Sequence, residues 1–178
     1  TGDTERNYGV DEALVRACDV AMDEGRMERV EALIAGLHAS DLADLLEELA
    51  GENRRKLLYH VRDQLDPELL THMDDVVRED MLELLEPEEV AAVLTELETD
   101  DALDVFEDIA EANQQDVLEH LSPSDRALLE QAMTYPEDSA GRLMQRELVT
   151  VPKDWSVGNT IDYMRQRAAV LPRDFYEI

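Results

Sequence analysis

The chain has 178 residues, enough for one domain with a substantial core, or a domain joined to part of another. Its 44 acidic residues against 16 Lys and Arg leave a formal charge of −28, which argues against a nucleic-acid surface and against docking on an anionic membrane. Aliphatic residues are spread along the whole length, no apolar run approaches the roughly 18–20 residues of a membrane span, and the start does not read as a signal peptide.

In chain order, Thr1-Gly2-Asp3 lacks an initiating Met, and the chain is expected to be a piece of a longer protein. Residues 10–24 and 26–37 then read as two amphipathic helices separated by Gly25. From Leu37 a period of twelve takes over: Leu37, Leu49, Val61, Met73, Leu85, Leu97, Ile109, Leu121 and Met133 are all apolar. Eight positions further on in each unit stand Leu45, Leu57, Leu69, Met81, Val93, Val105, Val117 and Leu129. The residue after each of these is Leu46, Leu58, Leu70, Leu82, Leu94, Phe106 and Leu118, and the series fails only at Glu130.

Offsets of +8, +9 and +12 form one face of a helix. Between units lie turn and cap residues: Asp66-Pro67-Glu68, Glu86-Pro87-Glu88, Thr99-Asp100-Asp101 and Ser122-Pro123-Ser124-Asp125. Each unit is therefore a helix of about two turns, roughly 12 Å long, too short to stand alone. The expected fold is mainly α, a superhelical solenoid of short helices with the first two helices covering its open end. The Asp66-Pro67 cap falls four residues out of register, so the helix over residues 52–64 is expected to be longer than the rest.

Beyond Met133 the pattern changes. A turn-rich connector precedes a β-type run, Leu148-Val149-Thr150-Val151, and then a helix over 157–168 with Ser156 as its N-cap. Phe175-Tyr176-Glu177-Ile178 reads as a second strand beginning. The expected organisation is an acidic helical domain over 1–134, a connector over 135–147, and an incomplete α/β domain over 148–178.

Charge is uneven. Between Glu79 and Asp125 stand seventeen Asp or Glu and no Lys or Arg. Within that run ELETDDALDVFEDIAE, residues 96–111, places eight carboxylates on a segment whose Leu97, Ala102, Val105, Phe106 and Ile109 must be buried. Three readings compete: a merely solvated helix face, adaptation to a salty interior (the chain has only two lysines, Lys56 and Lys153), or a cation site. Asp100 and Asp104 are four residues apart and share a helix face, which Asp108 and Glu111 extend. Mg2+ takes hard oxygen ligands, keeps several waters and often uses one or two carboxylates. Such a pair is half a site and needs a second surface to complete it. The first turn of a helix favours acid in any case, which also explains Asp100, Asp101 and Glu68 without a metal.

The units HASDLADLLEEL and LETDDALDVFEDI, with the junction YPEDSAGRLMQRELVTVPKDWSVGNTIDYMR, resemble the cytosolic N-terminal region of MgtE-type magnesium transporters. The junction is the most specific part. The resemblance implies an acidic helical N domain leading into a CBS domain, here truncated at 148–178, and then a membrane domain of the same parent chain. It implies a sensor on the cytoplasmic side of the cell membrane, homodimeric in the full-length protein. Mg2+ bound between N and CBS carboxylates would close the pore when the ion is abundant. The family's N-domain metal carboxylates match Glu68 in DPELLTHM, and Asp100 and Asp104 in TDDALDVF. The family's Gly-Gly is here Gly141-Arg142, and the arginine disfavours a cation at that point.

From a different class, an acidic helical-repeat adaptor for a basic protein is the alternative reading. It does not explain the junction. No nucleophile motif, phosphate-cradling Gly loop or HExxH is present, so an enzyme has no support. His38, His60, His72 and His120 sit near helix ends without ligand spacing, which argues for packing or C-terminal capping rather than zinc. Cys18, the lone cysteine, excludes an internal disulfide, is compatible with a reducing cytoplasm, and lies among Ala and Val as a packing residue.

Overall fold

A computed structural model describes residues 10–49, 51–136, 139–144 and 149–167. Two helices come first, α1 (Glu12–Asp23) and α2 (Met27–Ile34), with Gly25 at φ 69° in the turn between them. Only glycine enters that region without strain. The repeat then gives α3 (Ala39–Glu48), α4 (Gly51–Val61), α5 (Pro67–His72), α6 (Asp75–Leu82), α7 (Pro87–Glu96), α8 (Thr99–Glu107), α9 (Glu111–His120) and α10 (Pro123–Met133).

Successive starts at Ala39 and Gly51, and again from Asp75 through Pro87, Thr99, Glu111 and Pro123, are twelve apart. The one break lies where the misplaced Asp66-Pro67 cap predicts it. A 3-10 turn, Arg62–Gln64, prolongs α4, and α5 is shortened to six residues. The longer unit and the shorter one together restore the register.

Local chemistry explains the starts. Pro67, Pro87 and Pro123 sit in the first helical turn, where no N–H is missed. The side chains of Asp66, Asp74 and Ser122 accept hydrogen bonds from the N–H groups of Glu68, Val77 and Asp125 at 3.1, 2.8 and 3.2 Å. The C-terminal ends are served from a distance. Arg54 donates from Nε to the carbonyls of Leu46 and Leu49 at 3.0 and 2.9 Å, and from Nη2 to that of Glu47 at 2.9 Å, closing α3. Arg62 donates to Leu84 O at 3.1 Å, just past α6. A cation at a helix C-terminus meets both the orphan carbonyls and the negative end of the dipole.

Packing follows an every-second-helix rule: α3 on α5, α5 on α7, α7 on α9, and likewise α4 on α6 and α8 on α10. Contacts of α3 with α4, α5 with α8 and α7 with α8 tie the two rows together, and α1 closes one end against α2 and α4. All eight +8 residues are buried, as are all seven apolar +9 residues, and they form one continuous core with Phe106 among its largest fully buried side chains. The +12 residues mark helix ends and vary more, from Leu49 at 0% exposure to Met133 at 39%. Two turns of helix cannot bury a full apolar stripe alone; stacking does it for them.

The last described helix is α11 (Val157–Arg167), with Ser156 Oγ accepting from Asn159 N at 3.2 Å, and it buries no residue. The strand expected at Leu148–Val151 does not form over its described part: residues 149–151 carry no ladder, although Val149 is buried. A strand needs a neighbouring edge to pair with, and the described residues supply none. Leu148 itself, Ala168 and the strand expected at Phe175–Ile178 lie outside the described residues. Among the described residues no helix is long and apolar enough to cross a membrane.

Candidate metal-binding face

Helix α8 carries the densest acid. Its apolar side, Ala102, Leu103, Val105 and Phe106, is buried, and Ile109 just past its end is buried with it. Asp100 and Asp104 lie one turn apart on the remaining face. Asp104 is 65% exposed, whereas Asp100 is half-buried and its Oδ1 is covered without a hydrogen-bond partner. Glu98, Asp100 and Asp101 each offer a carboxylate oxygen within 4.8 Å of the other two. Neither Glu68 nor Asp104 belongs to that trio. Glu68 is exposed in the first turn of α5, which packs on α8.

The acid on α8 is less uncompensated than its own segment implies. Arg78, on α6 and only 5% exposed, reaches under the helix. Its Nη1 donates to Asp104 Oδ2 at 2.7 Å, its Nε to Asp108 Oδ2 at 2.5 Å, and its Nη2 to Asp75 Oδ1 at 3.2 Å. Burial works against the guanidinium charge, but Asp104 and Asp108 outweigh it and hold Arg78 above its usual range. Asp108 is raised as well, for a different reason. Burial raises its carboxyl, Arg78 offsets this only in part, and the negative charges of Asp75 and Asp104 raise it further. One guanidinium shared among three carboxylates leaves the group net negative.

A second arginine arrives from the connector. Arg142 pairs with Glu107 at the end of α8 and donates to the carbonyls of Ala132 and Tyr135 at 3.4 and 3.3 Å. Gly141 lies so close to Tyr135 that an added Cβ would stand 2.5 Å from the ring, so a side chain there would require the tyrosine to shift. Arginine at 142 thus serves as an ion-pair partner and as a C-terminal cap for α10.

Sequence reading proposes Asp100, Asp104 and Glu68; of these the structure brings only Asp100 into the carboxylate trio, and the spacing gives no sign of Arg78, which stands immediately before the base-free run. It also passed over Glu98 and Asp101 as partners of Asp100, although adjacency in sequence was a usable signal. The histidines behave mainly as end residues. His120 Nδ1 is 2.7 Å from Asp116 O, and His60 and His72 lie in last turns, but His38 is exposed at the N-cap of α3. Cys18 is fully buried, and burial, followed by Asp19, pushes its thiol up, consistent with a packing role.

The fold is shared with known proteins. The crystal structure of the cytosolic domain of the Mg2+ channel MgtE in complex with ATP superposes with a TM-score of 0.70 at 28% identity, over 92% of this chain and 67% of that one. The crystal structure of the soluble part of a magnesium transporter superposes with a TM-score of 0.61 at 21% identity, over 93% of this chain and 66% of that one. This chain thus spans about two thirds of the length of each. No curated protein matches its sequence. Residues 37–138, more than half of the chain and coincident with the repeat and the junction's start, match the MgtE intracellular N domain. The chain belongs to the MgtE intracellular N-domain family and carries that part of a magnesium transporter.

Proposed function

We propose that this chain is the Mg2+-sensing part of its parent transporter, on the cytoplasmic side of the cell membrane. Ions lodged between its carboxylates and those of a CBS domain hold the closed arrangement, residues 148–178 being the start of that domain. When Mg2+ is scarce the like-charged surfaces repel and the pore is released. Asp100, Asp104 and Glu68 are the ligands this domain contributes. The parent associates as a homodimer.

The observation that carries the reading is the covered, unpartnered Oδ1 of Asp100 beside the carboxylates of Glu98 and Asp101. An oxygen-only donor set of this kind suits a hard divalent cation that retains much of its water. Asp104 adds an exposed carboxylate one turn away. The ion drives closure only through its higher affinity for the closed state. Net charge is the main support for an adaptor, and family membership favours the sensor over it.

The test is a Mg2+ titration of this chain at constant ionic strength, followed by amide shifts. Shifts localised around Asp100 and Asp104, and lost in Asp100→Asn and Asp104→Asn, are expected. A diffuse response reproduced by Na+ would reduce the effect to counter-ion screening and end the proposal.

A further inference from the structure

We infer that Arg78 is an internal cation that competes with the divalent ion for Asp104 and so sets the concentration at which the sensor responds. The inference deepens the proposed sensor and rests on that reading of Asp104. Its own support is geometric. Arg78 is 5% exposed, and its side-chain nitrogens face Asp75, Asp104 and Asp108, with Leu70 O at 3.5 Å behind. Asp104 is the one of its two α8 partners that also reaches well into solvent, at 65% exposure against 21% for Asp108. The same carboxylate is therefore held from below by a fixed positive charge and open from above to a mobile one.

Two effects of opposite sign act on a cation approaching Asp104. Arg78 holds the carboxylate in one orientation, which favours binding by sparing a single short side chain its freedom. It also places a positive charge 2.7 Å from Oδ2, in a partly buried site where solvent screens poorly. The incoming ion carries two charges, so the repulsion is doubled while the orientational gain is that of one residue. Repulsion wins. Asp108 keeps the competitor in place: with Nε tied to Asp108 at 2.5 Å, the guanidinium cannot swing away when an ion arrives.

The structure offers the same logic once more at α8. Arg142 occupies Glu107 as Arg78 occupies Asp104 and Asp108.

The experiment compares this 178-residue chain with Arg78→Gln, Arg78→Met and Arg78→Lys, titrating with Mg2+ at matched ionic strength. Binding is read from amide shifts at residues 100–108. Arg78→Gln is expected to tighten apparent Mg2+ affinity at Asp104 about tenfold, with Arg78→Lys close to the parent. Melting temperature supplies a second readout. The neutral variants lose stability without Mg2+ and recover more of it on adding Mg2+ than the parent gains, whereas Na+ at equal ionic strength recovers little. Arg78→Met, which keeps the buried stem, replaces Gln should that variant not fold. Unchanged or weaker Mg2+ binding in a folded neutral variant overturns the inference while leaving the sensor reading intact. Absence of localised shifts in every chain sinks both.

Discussion

Replacing Arg54 tests whether distant arginines hold the short helices together. Helix α3 ends with the carbonyls of Leu46, Glu47 and Leu49 turned toward the Arg54 guanidinium, at 2.9–3.0 Å. Leu45 O is already satisfied by Leu49 N at 3.1 Å, so Arg54 takes the carbonyls that the helix itself leaves over. Hydrogen bonds to a charged donor contribute about 1.5–3 kcal/mol each in isolation, but these share one side chain and partly revert to water on its loss. Adding a modest dipole contribution, Arg54→Met is expected to cost about 2–3 kcal/mol in all. That corresponds to a drop of roughly 5–10 °C in melting temperature for a domain of this size. Arg54→Lys keeps the charge but not the fork, and is expected to recover only the dipole share of about 0.5 kcal/mol. Urea unfolding followed by far-UV circular dichroism reads both variants. A loss below about 0.5 kcal/mol for Arg54→Met would refute the reasoning, since water would then cap α3 as well as arginine does.

Phe106→Ala removes a 1%-exposed ring from the middle of the core and is expected to cost about 3–5 kcal/mol by urea unfolding. Gly25→Ala meets no atom within 4 Å, so its expected loss of about 1 kcal/mol, read by urea unfolding, comes from the positive φ alone. Asp108 gives a pH prediction. Its folded-state value lies above the unfolded one, so the folded protein holds the extra proton between the two, and stability falls as pH rises through that window. Asp108→Asn lacks this term. The parent should therefore gain stability relative to the variant as pH is lowered from neutrality through the range just above that of an ordinary aspartate. A relative gain in the opposite direction would mean that Arg78, not burial, dominates Asp108.

Most of the solenoid was readable along the chain because its code is local. Apolar spacing, Pro in the first turn and Asp or Ser caps act within one helix, and the twelve-residue period repeats them until the pattern exceeds chance. Even the register slip at Asp66-Pro67 was legible, and the structure resolves it into a 3-10 extension of α4 and a short α5. The strand at 149–151 was misread for the complementary reason: a β-type run states a preference, but a ladder needs a partner edge that sequence spacing does not supply.

By itself the sequence determined the helical repeat, the buried stripe and the excess of acid, since each depends on neighbours a few positions away. What only the tertiary structure decided is how that acid is compensated. Arg78 meets Asp104 and Asp108 across 26 and 30 residues, and Arg142 returns from beyond α10 to Glu107. Tertiary folding brings these charges together, and no periodicity in the chain records such a contact. A run of carboxylates without a base therefore states the local charge, while the field a cation meets at Asp104 is set by which distant arginine the superhelix folds beneath it.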